Sequence, residues 1–156
     1  RDLRMSRGLG DVYKRQMQVV ITIEGSQADV LEQEPDEQVQ FSTDGEYSCV
    51  DGCGMLTYPE SELTGMAGTL TTITFTPSNA VLKRTGAVTS RMVFAPGTRN
   101  TFLYQTPYGT STVGLETQRY RSTLGERGGV LELLYVVDFD HACANRNRLR
   151  ITVREQ

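Results

Sequence analysis

Two short stretches, "CVDGC" and "DFDHAC", hold all three cysteines and the single histidine of this chain. Cys49, Cys53, His141 and Cys143 have the number and the donor types of a tetrahedral zinc site. Their spacing speaks against one. A Cys-x3-Cys pair wrapped around a two-residue turn is not a common zinc knuckle, and His-x-Cys on a strand would have to be brought round to the first pair. The plain reading is three ordinary thiols and a solvated imidazole, so the sequence predicts no metal and no cofactor. Asp138 and Asp140 recur two apart on one strand face, where paired acids are common and need no chemistry. No nucleophile elbow, glycine-rich phosphate loop or histidine-rich metal motif is present, and no catalytic residue is assigned.

Binding residues are better represented. "RTG" places Arg84 two residues after Leu82, on what would be an inward face. A guanidinium there needs partners. It is either an anchor for an anionic ligand or one half of a structural ion pair closing a barrel end. "YQTPYG" offers Tyr104, Thr106 and Tyr108 at a ligand mouth. Equally, Pro107 and Gly109 make the same stretch a tight hairpin, with Pro fixing φ and Gly permitting a positive one. "RNRLRITVR" puts Arg146, Arg148 and Arg150 on one face of the last strand and Leu149, Ile151 and Val153 on the other. That basic face could neutralise phosphates or could simply be solvated and guard the strand against edge pairing.

The elements that carry these residues follow a period of two, not 3.6. "VVITIE", "QVQFST", "TLTTITFT", "TSRMVF", "NTFLYQT", "STVGLET", "VLELLYVVDF" and "RLRITVR" each alternate, and β-branched and aromatic side chains dominate them. Turn chemistry separates the runs, at Asp51-Gly52, Pro77-Ser78-Asn79, Pro96-Gly97, Pro107-Tyr108-Gly109 and Gly125 to Gly129. The best helix candidate, "SQADVLEQEPDEQ", is broken by Pro35 and fits an exposed loop. The expectation is all-β, with eight to ten antiparallel strands closed into one barrel. Phe41, Phe75, Phe94, Phe102, Tyr135 and Phe139 fall on its inward face.

Bulk properties agree with a single domain. The chain has 156 residues, 38% of them hydrophobic and 22% charged, ordinary values for a globular protein. Three cysteines suit a reducing compartment better than a disulfide framework, and no apolar run reaches the ~18 residues of a membrane span. The net charge is −3. Arg1, Arg4, Arg7, Lys14 and Arg15 outweigh Asp2 and Asp11, so the remainder is more acidic than the whole. That weighs against nucleic acid as the main partner. Residues 11–16, "DVYKRQ", match a translated transposase adapter of the kind used to fragment DNA for sequencing. Residues 1–16 are therefore expected to be a non-native, exposed tail, with the domain spanning 17–156 and its first strand opening near Gln18 or Val19.

From Thr85 onward, "RTGAVTSRMVFAPGTRNTFLYQTPYGTSTVGLETQRY" and "GGVLELLYVVDF" resemble the YwiB-like family of uncharacterised bacterial proteins. The residues that carry the resemblance are Arg84 and Gly86, Phe94 and Gly97, Tyr104, Thr106, Pro107, Tyr108 and Gly109, Thr117, Gly129 and Tyr135. "VQFSTDGEY" and "MLTYPESELTG" fit it upstream. The resemblance implies a calycin-like (lipocalin-like) β-barrel and a bacterial, cytoplasmic protein; it implies no reaction. Taken together, the sequence points to a barrel that binds a small molecule without catalysis, through Arg84, Tyr104, Thr106, Tyr108 and Tyr135. The alternatives are a filled barrel that serves structure or protein interaction, and nucleic-acid binding through the three arginines. An internal cavity of ~300 Å³ or more separates the first from the second.

Overall fold

The computed structural model describes residues 16–29, 37–139 and 142–156. Ten antiparallel strands make one sheet: β1 (Met17–Asp29), β2 (Glu37–Val50), β3 (Cys53–Pro59), β4 (Thr69–Phe75), β5 (Ala80–Gly86), β6 (Ser90–Phe94), β7 (Arg99–Thr106), β8 (Gly109–Ser122), β9 (Gly128–Phe139) and β10 (Ala142–Glu155). Their spatial order is β6-β5-β4-β3-β2-β1-β10-β9-β8-β7. Every strand pairs with its neighbours in sequence except β6 with β7, and β1 returns to pair with β10. The remaining edges, β6 and β7, meet through a bridge between Thr89 and Gln105, with paired hydrogen bonds of 2.9 Å. The result is the all-β, nearly closed barrel that the alternation predicts, consistent with the calycin-like barrel that the resemblance implies. One 3-10 turn, Glu62–Thr64, interrupts the strands. No helix among the described residues is long and apolar enough to cross a membrane.

All eight alternating runs lie in strands. Two further strands, β3 and β5, were not among those runs. "CGMLTYP" opens on a glycine, and "AVLKRTG" turns charged halfway, so neither shows a clean period of two. Of the helix candidate, residues 26–29 finish β1 and residues 37–38 begin β2; residues 30–36 lie outside the described residues. So do residues 1–15 of the expected tail. Gln16 is exposed and β1 opens at Met17, close to the expected start.

One half of the barrel interior is filled. Ile21, Tyr47, Leu56, Ile73, Phe75, Leu82, Phe94, Leu115, Leu131 and Ile151 are all buried there, each contributing about 1.5–3 kcal/mol through loss of contact with water. Tyr47 and Phe75 stack with centroids 5.9 Å apart. The β8–β9 connection seals this end. Leu124 is buried across it, the Tyr47 hydroxyl donates to the Gly125 carbonyl at 2.5 Å, and Gly125 bridges Gly128. A register shift between Thr117 and Arg119 turns Tyr120 inward. Its hydroxyl sits 2.7 Å and 2.8 Å from the carbonyls of Thr76 and Asn79, closing the neighbouring gap. Phe139 ends β9 at the opposite rim, where it lines the open cavity and is 42% exposed, because alternation orients a side chain but does not say whether another layer covers it.

Two glycines hold the filled end together for different reasons. Asp51 and Gly52 form the β2–β3 turn with φ of 55° and 79°, left-handed backbone that glycine adopts without cost. Gly54 instead marks a close approach. A Cβ there would lie 1.9 Å from the Ser48 carbonyl oxygen and 2.8 Å from the Cys49 Cα. Gly25 has room, with the Arg148 carbonyl oxygen as nearest atom at 3.9 Å. Gly54→Ala is expected to lower urea-unfolding stability by about 1–3 kcal/mol through overpacking. Gly25→Ala is expected to stay within about 0.5 kcal/mol of the parent, and equal losses at the two sites would contradict this packing.

Candidate functional site

The other half of the interior is polar, and its centre is Glu60. β3 points Leu56 and Tyr58 inward, and Glu60, one residue past its end, keeps that parity. The Glu60 side chain is 2% exposed. Burying a carboxylate is costly unless its oxygens are met, and here they are. Thr71 donates to Oε2 at 2.5 Å, the Thr64 hydroxyl lies 3.2 Å from Oε1 and 2.9 Å from the Ser61 carbonyl, and Tyr58 packs beside the carboxylate. Arg84 supplies the counter-charge, its Nε 3.6 Å from Oε2 with the side chain 15% exposed. The register explains the meeting, since Arg84 lies opposite Thr71 across β4 and β5. Of the two readings of Arg84 from sequence, the structural ion pair is present.

Two buried polar atoms are left over. Arg84 Nε and Ser90 Oγ have no hydrogen-bond partner among the described residues, and Arg84 and Ser90 are themselves cross-strand neighbours on β5 and β6. The guanidinium otherwise reaches Met92 Sδ through Nη1 at 3.4 Å, a weak acceptor. Orphaned buried groups are rare and call for a partner. Tyr135 stands at the border between the two halves, edge-on to Phe94 with centroids 4.9 Å apart. Burial raises the phenols of Tyr58 and Tyr135 above their ordinary range. At Tyr58 the Glu60 charge adds to that rise, and at both residues Arg84 opposes it.

Above this cluster opens a cavity of about 330 Å³. Arg84, Tyr104 and Tyr135 line it, as do Gln27, Thr64, Asn145 and Asn147. Phe102, Val113, Val137 and Phe139 form an apolar wall, and Met66 and Met92 complete the lining. Three of the five expected ligand residues are therefore gathered on one cavity. Thr106 and Tyr108 are not. Tyr108 is 98% exposed at the β7–β8 turn. There the Thr106 hydroxyl accepts from the Tyr108 N–H at 3.1 Å and lies 3.2 Å from the Gly109 carbonyl, which is the hairpin role also read from "YQTPYG". Glu60 escaped the sequence reading because it follows Pro59 inside a polar turn; the Leu56-Tyr58-Glu60 alternation was the available signal.

The remaining candidates are separated. Val50 pairs with Cys53 and Cys49 with Gly54, so Cys49 and Cys53 face opposite sides of the hairpin. Cys49 is buried and Cys53 exposed. Cys143 lies on β10 beyond the Asp29–Asn145 pair, at the far end of β1 from Met17 and Tyr47. His141 and Asp140 lie outside the described residues. Among the described residues no group of three or more metal-binding side chains forms. Arg146, Arg148 and Arg150 take the outer face of β10, opposite to buried Ile151 and Val153, and Arg150 faces Glu24 and Glu132 across the sheet. A trough of about 480 Å³ runs over this outer face between Glu24, Gln40, Glu132 and Arg148. It lacks the buried, unsatisfied groups that distinguish the interior cavity.

Comparison with known proteins agrees with this architecture. Residues 21–151 match the family model described as "Domain of unknown function (DUF1934)". The crystal structure of the ywiB protein from Bacillus subtilis superposes with a TM-score of 0.80 at 18% identity, over 95% of this chain and 98% of that one. At that identity the likeness shows the fold alone. No functionally curated protein matches the chain.

The cluster makes two measurable demands. Glu60→Gln leaves the Arg84 charge without its counter-ion and is expected to cost about 2–3 kcal/mol in urea unfolding, somewhat below a fully buried pair because Arg84 borders the cavity. Adding Arg84→Met should return most of that loss, and strictly additive costs would contradict the pairing. The second demand concerns alkali. Tyr47, Tyr58, Tyr120 and Tyr135 all have phenols raised chiefly by burial, so folding favours their neutral forms. Their contribution is complete below the unfolded phenol value near 10 and declines as pH rises beyond it. Tyrosinate absorbance from these four should appear together with unfolding, and smooth ionisation of the folded protein would oppose it.

Proposed function

Because the chain belongs to the DUF1934 family, a domain of unknown function, its role has to be read from its own geometry, and we propose that it is a non-catalytic barrel holding one small molecule in its open half. The observation that carries this reading is a cavity of about 330 Å³ that brings Arg84, Tyr104 and Tyr135 together against an apolar wall. Small-molecule pockets begin near ~300 Å³ and combine an apolar lining with a few fixed polar groups. The cavity has that composition. Phe102, Val113, Val137 and Phe139 offer a surface for an apolar body, and Arg84, Tyr104 and Tyr135 offer hydrogen bonds to a polar end.

The filled half supports the same reading. A barrel needing only a core could continue apolar layers to both ends. Here the apolar pairs of β4, β5 and β6 stop at Ile73, Leu82 and Met92, and Thr71, Arg84 and Ser90 occupy the next level. Nothing in the cluster resembles a nucleophile with its base, and the carboxylate of Glu60 is engaged by Thr64, Thr71 and Arg84. Cys49 and Cys53 are both free thiols, which suits the cytoplasmic location expected from the sequence.

Filling the cavity should abolish binding. Val137→Trp places an indole across it while leaving the sealed end untouched. Equilibrium fluorescence titration with N-phenyl-1-naphthylamine is expected to give saturable, one-to-one binding to the parent protein and at least tenfold weaker binding to the variant. Circular dichroism should confirm that both are folded. Equal binding by the two would overturn the assignment of the interior cavity.

A further inference from the structure

The proposed site has an internal electrostatic balance that limits what can enter it. Among the described residues Arg84 is the one cationic side chain lining the cavity, and its charge is opposed by Glu60, which is 2% exposed and 3.6 Å away. Thr71 donates its hydroxyl to that carboxylate, and Thr64 and Tyr58 lie beside it. The guanidinium therefore presents no net charge to a guest. An anionic group would leave water to meet a cation that is already compensated, and would stand close to a buried negative charge. In a weakly screened interior both effects oppose binding. A cationic group would meet Arg84 directly and is opposed for the same reason.

The unsatisfied groups have a different requirement. The Arg84 guanidinium lines the cavity and carries only donors, and Ser90 lies behind it, across β5 and β6. Tyr135 adds a phenol whose proton is kept in place by burial. Arg84 and Tyr135 bring donors to the polar end, and the charge there is balanced. Resting on the binding reading above, we infer that the guest is an uncharged amphipathic molecule, with a neutral hydrogen-bonding end toward Arg84 and an apolar body against Phe102, Val113 and Val137. The pair selects against carboxylates, sulfonates and phosphates even though an arginine faces the cavity.

Two dyes test this directly, because they share one skeleton and differ by a single charge. N-phenyl-1-naphthylamine is neutral; 8-anilinonaphthalene-1-sulfonate is the same framework carrying a sulfonate. Both are titrated into the full chain at physiological ionic strength, and only signal that Val137→Trp removes is counted. The neutral dye is expected to bind at least tenfold more tightly. Glu60→Gln should uncover the Arg84 charge and narrow or reverse that preference, whereas Glu60→Gln combined with Arg84→Met should restore it. If the single variant fails to fold, the parent protein and the double variant still carry the comparison. Equal or tighter sulfonate binding by the parent overturns the selectivity while leaving the site intact. Absence of cavity-dependent binding by either dye overturns the site itself, and the selectivity with it.

Discussion

A carboxylate inside a β-barrel has to be surrounded by donors and a counter-charge, or it will not stay there charged. Glu60 imposes that condition on this protein. It continues the inward parity of Leu56 and Tyr58 past the end of β3, and the neighbouring strands are arranged around it. Thr71 on β4 and Arg84 on β5 stand opposite one another in register, so one pairing delivers both a hydroxyl and a guanidinium. Thr64 arrives from the 3-10 turn. A level built this way cannot be packed as an apolar layer, and the interior divides there into a filled half and an open one.

The rest of the architecture makes that division stable. Burial at the other end is continuous from Val19 to Ile23 on β1 and from Leu131 to Leu133 on β9, and Leu124 lies across the opening. Closure is uneven around the circumference. β1 and β10 are joined along eleven register pairs, whereas β6 and β7 share the Thr89–Gln105 bridge and a side-chain bond from Asn100 Nδ2 to the Val93 carbonyl at 3.0 Å. Long strands paired along most of their length hold the filled half, and the shorter strands β5 and β6 carry Arg84 and Met92 to the cavity.

Much of the barrel is legible in the sequence because burial on one face writes a period of two into it. Ile21 and Ile23, Ile73 and Phe75, and Ile151 and Val153 all show it. The rule fails where another constraint outweighs side-chain alternation. Gly54 is required by close backbone approach, so β3 loses its opening apolar residue. The shift near Gln118 reverses parity, which brings Tyr120 inward unannounced. Arg84 breaks the pattern of β5 for the reason that makes it interesting: it answers Glu60. Arg84 could be singled out because an inward charge demands a partner, but the partner lies 24 positions earlier in a stretch that reads as a turn. Pairing across strands is a property of register, and a single sequence does not state its register. Tyr104 and Tyr135 reached the cavity as expected, while Thr106 and Tyr108, two and four residues after Tyr104, went to the hairpin tip. Alternation gives the face of a side chain but not its height in the barrel.

The account stands on the claim that one end of this barrel is open to a small molecule and the other is not. Chemical-shift mapping of the labelled full chain during titration with N-phenyl-1-naphthylamine addresses it most directly, since it reports where the molecule sits. The account predicts the largest changes at Met92, Phe102, Val113, Tyr135 and Val137, with Leu124, Leu131 and Ile151 unmoved. Changes centred on Leu124 and the sealed end, or on Arg148 and Arg150 outside the barrel, would contradict it.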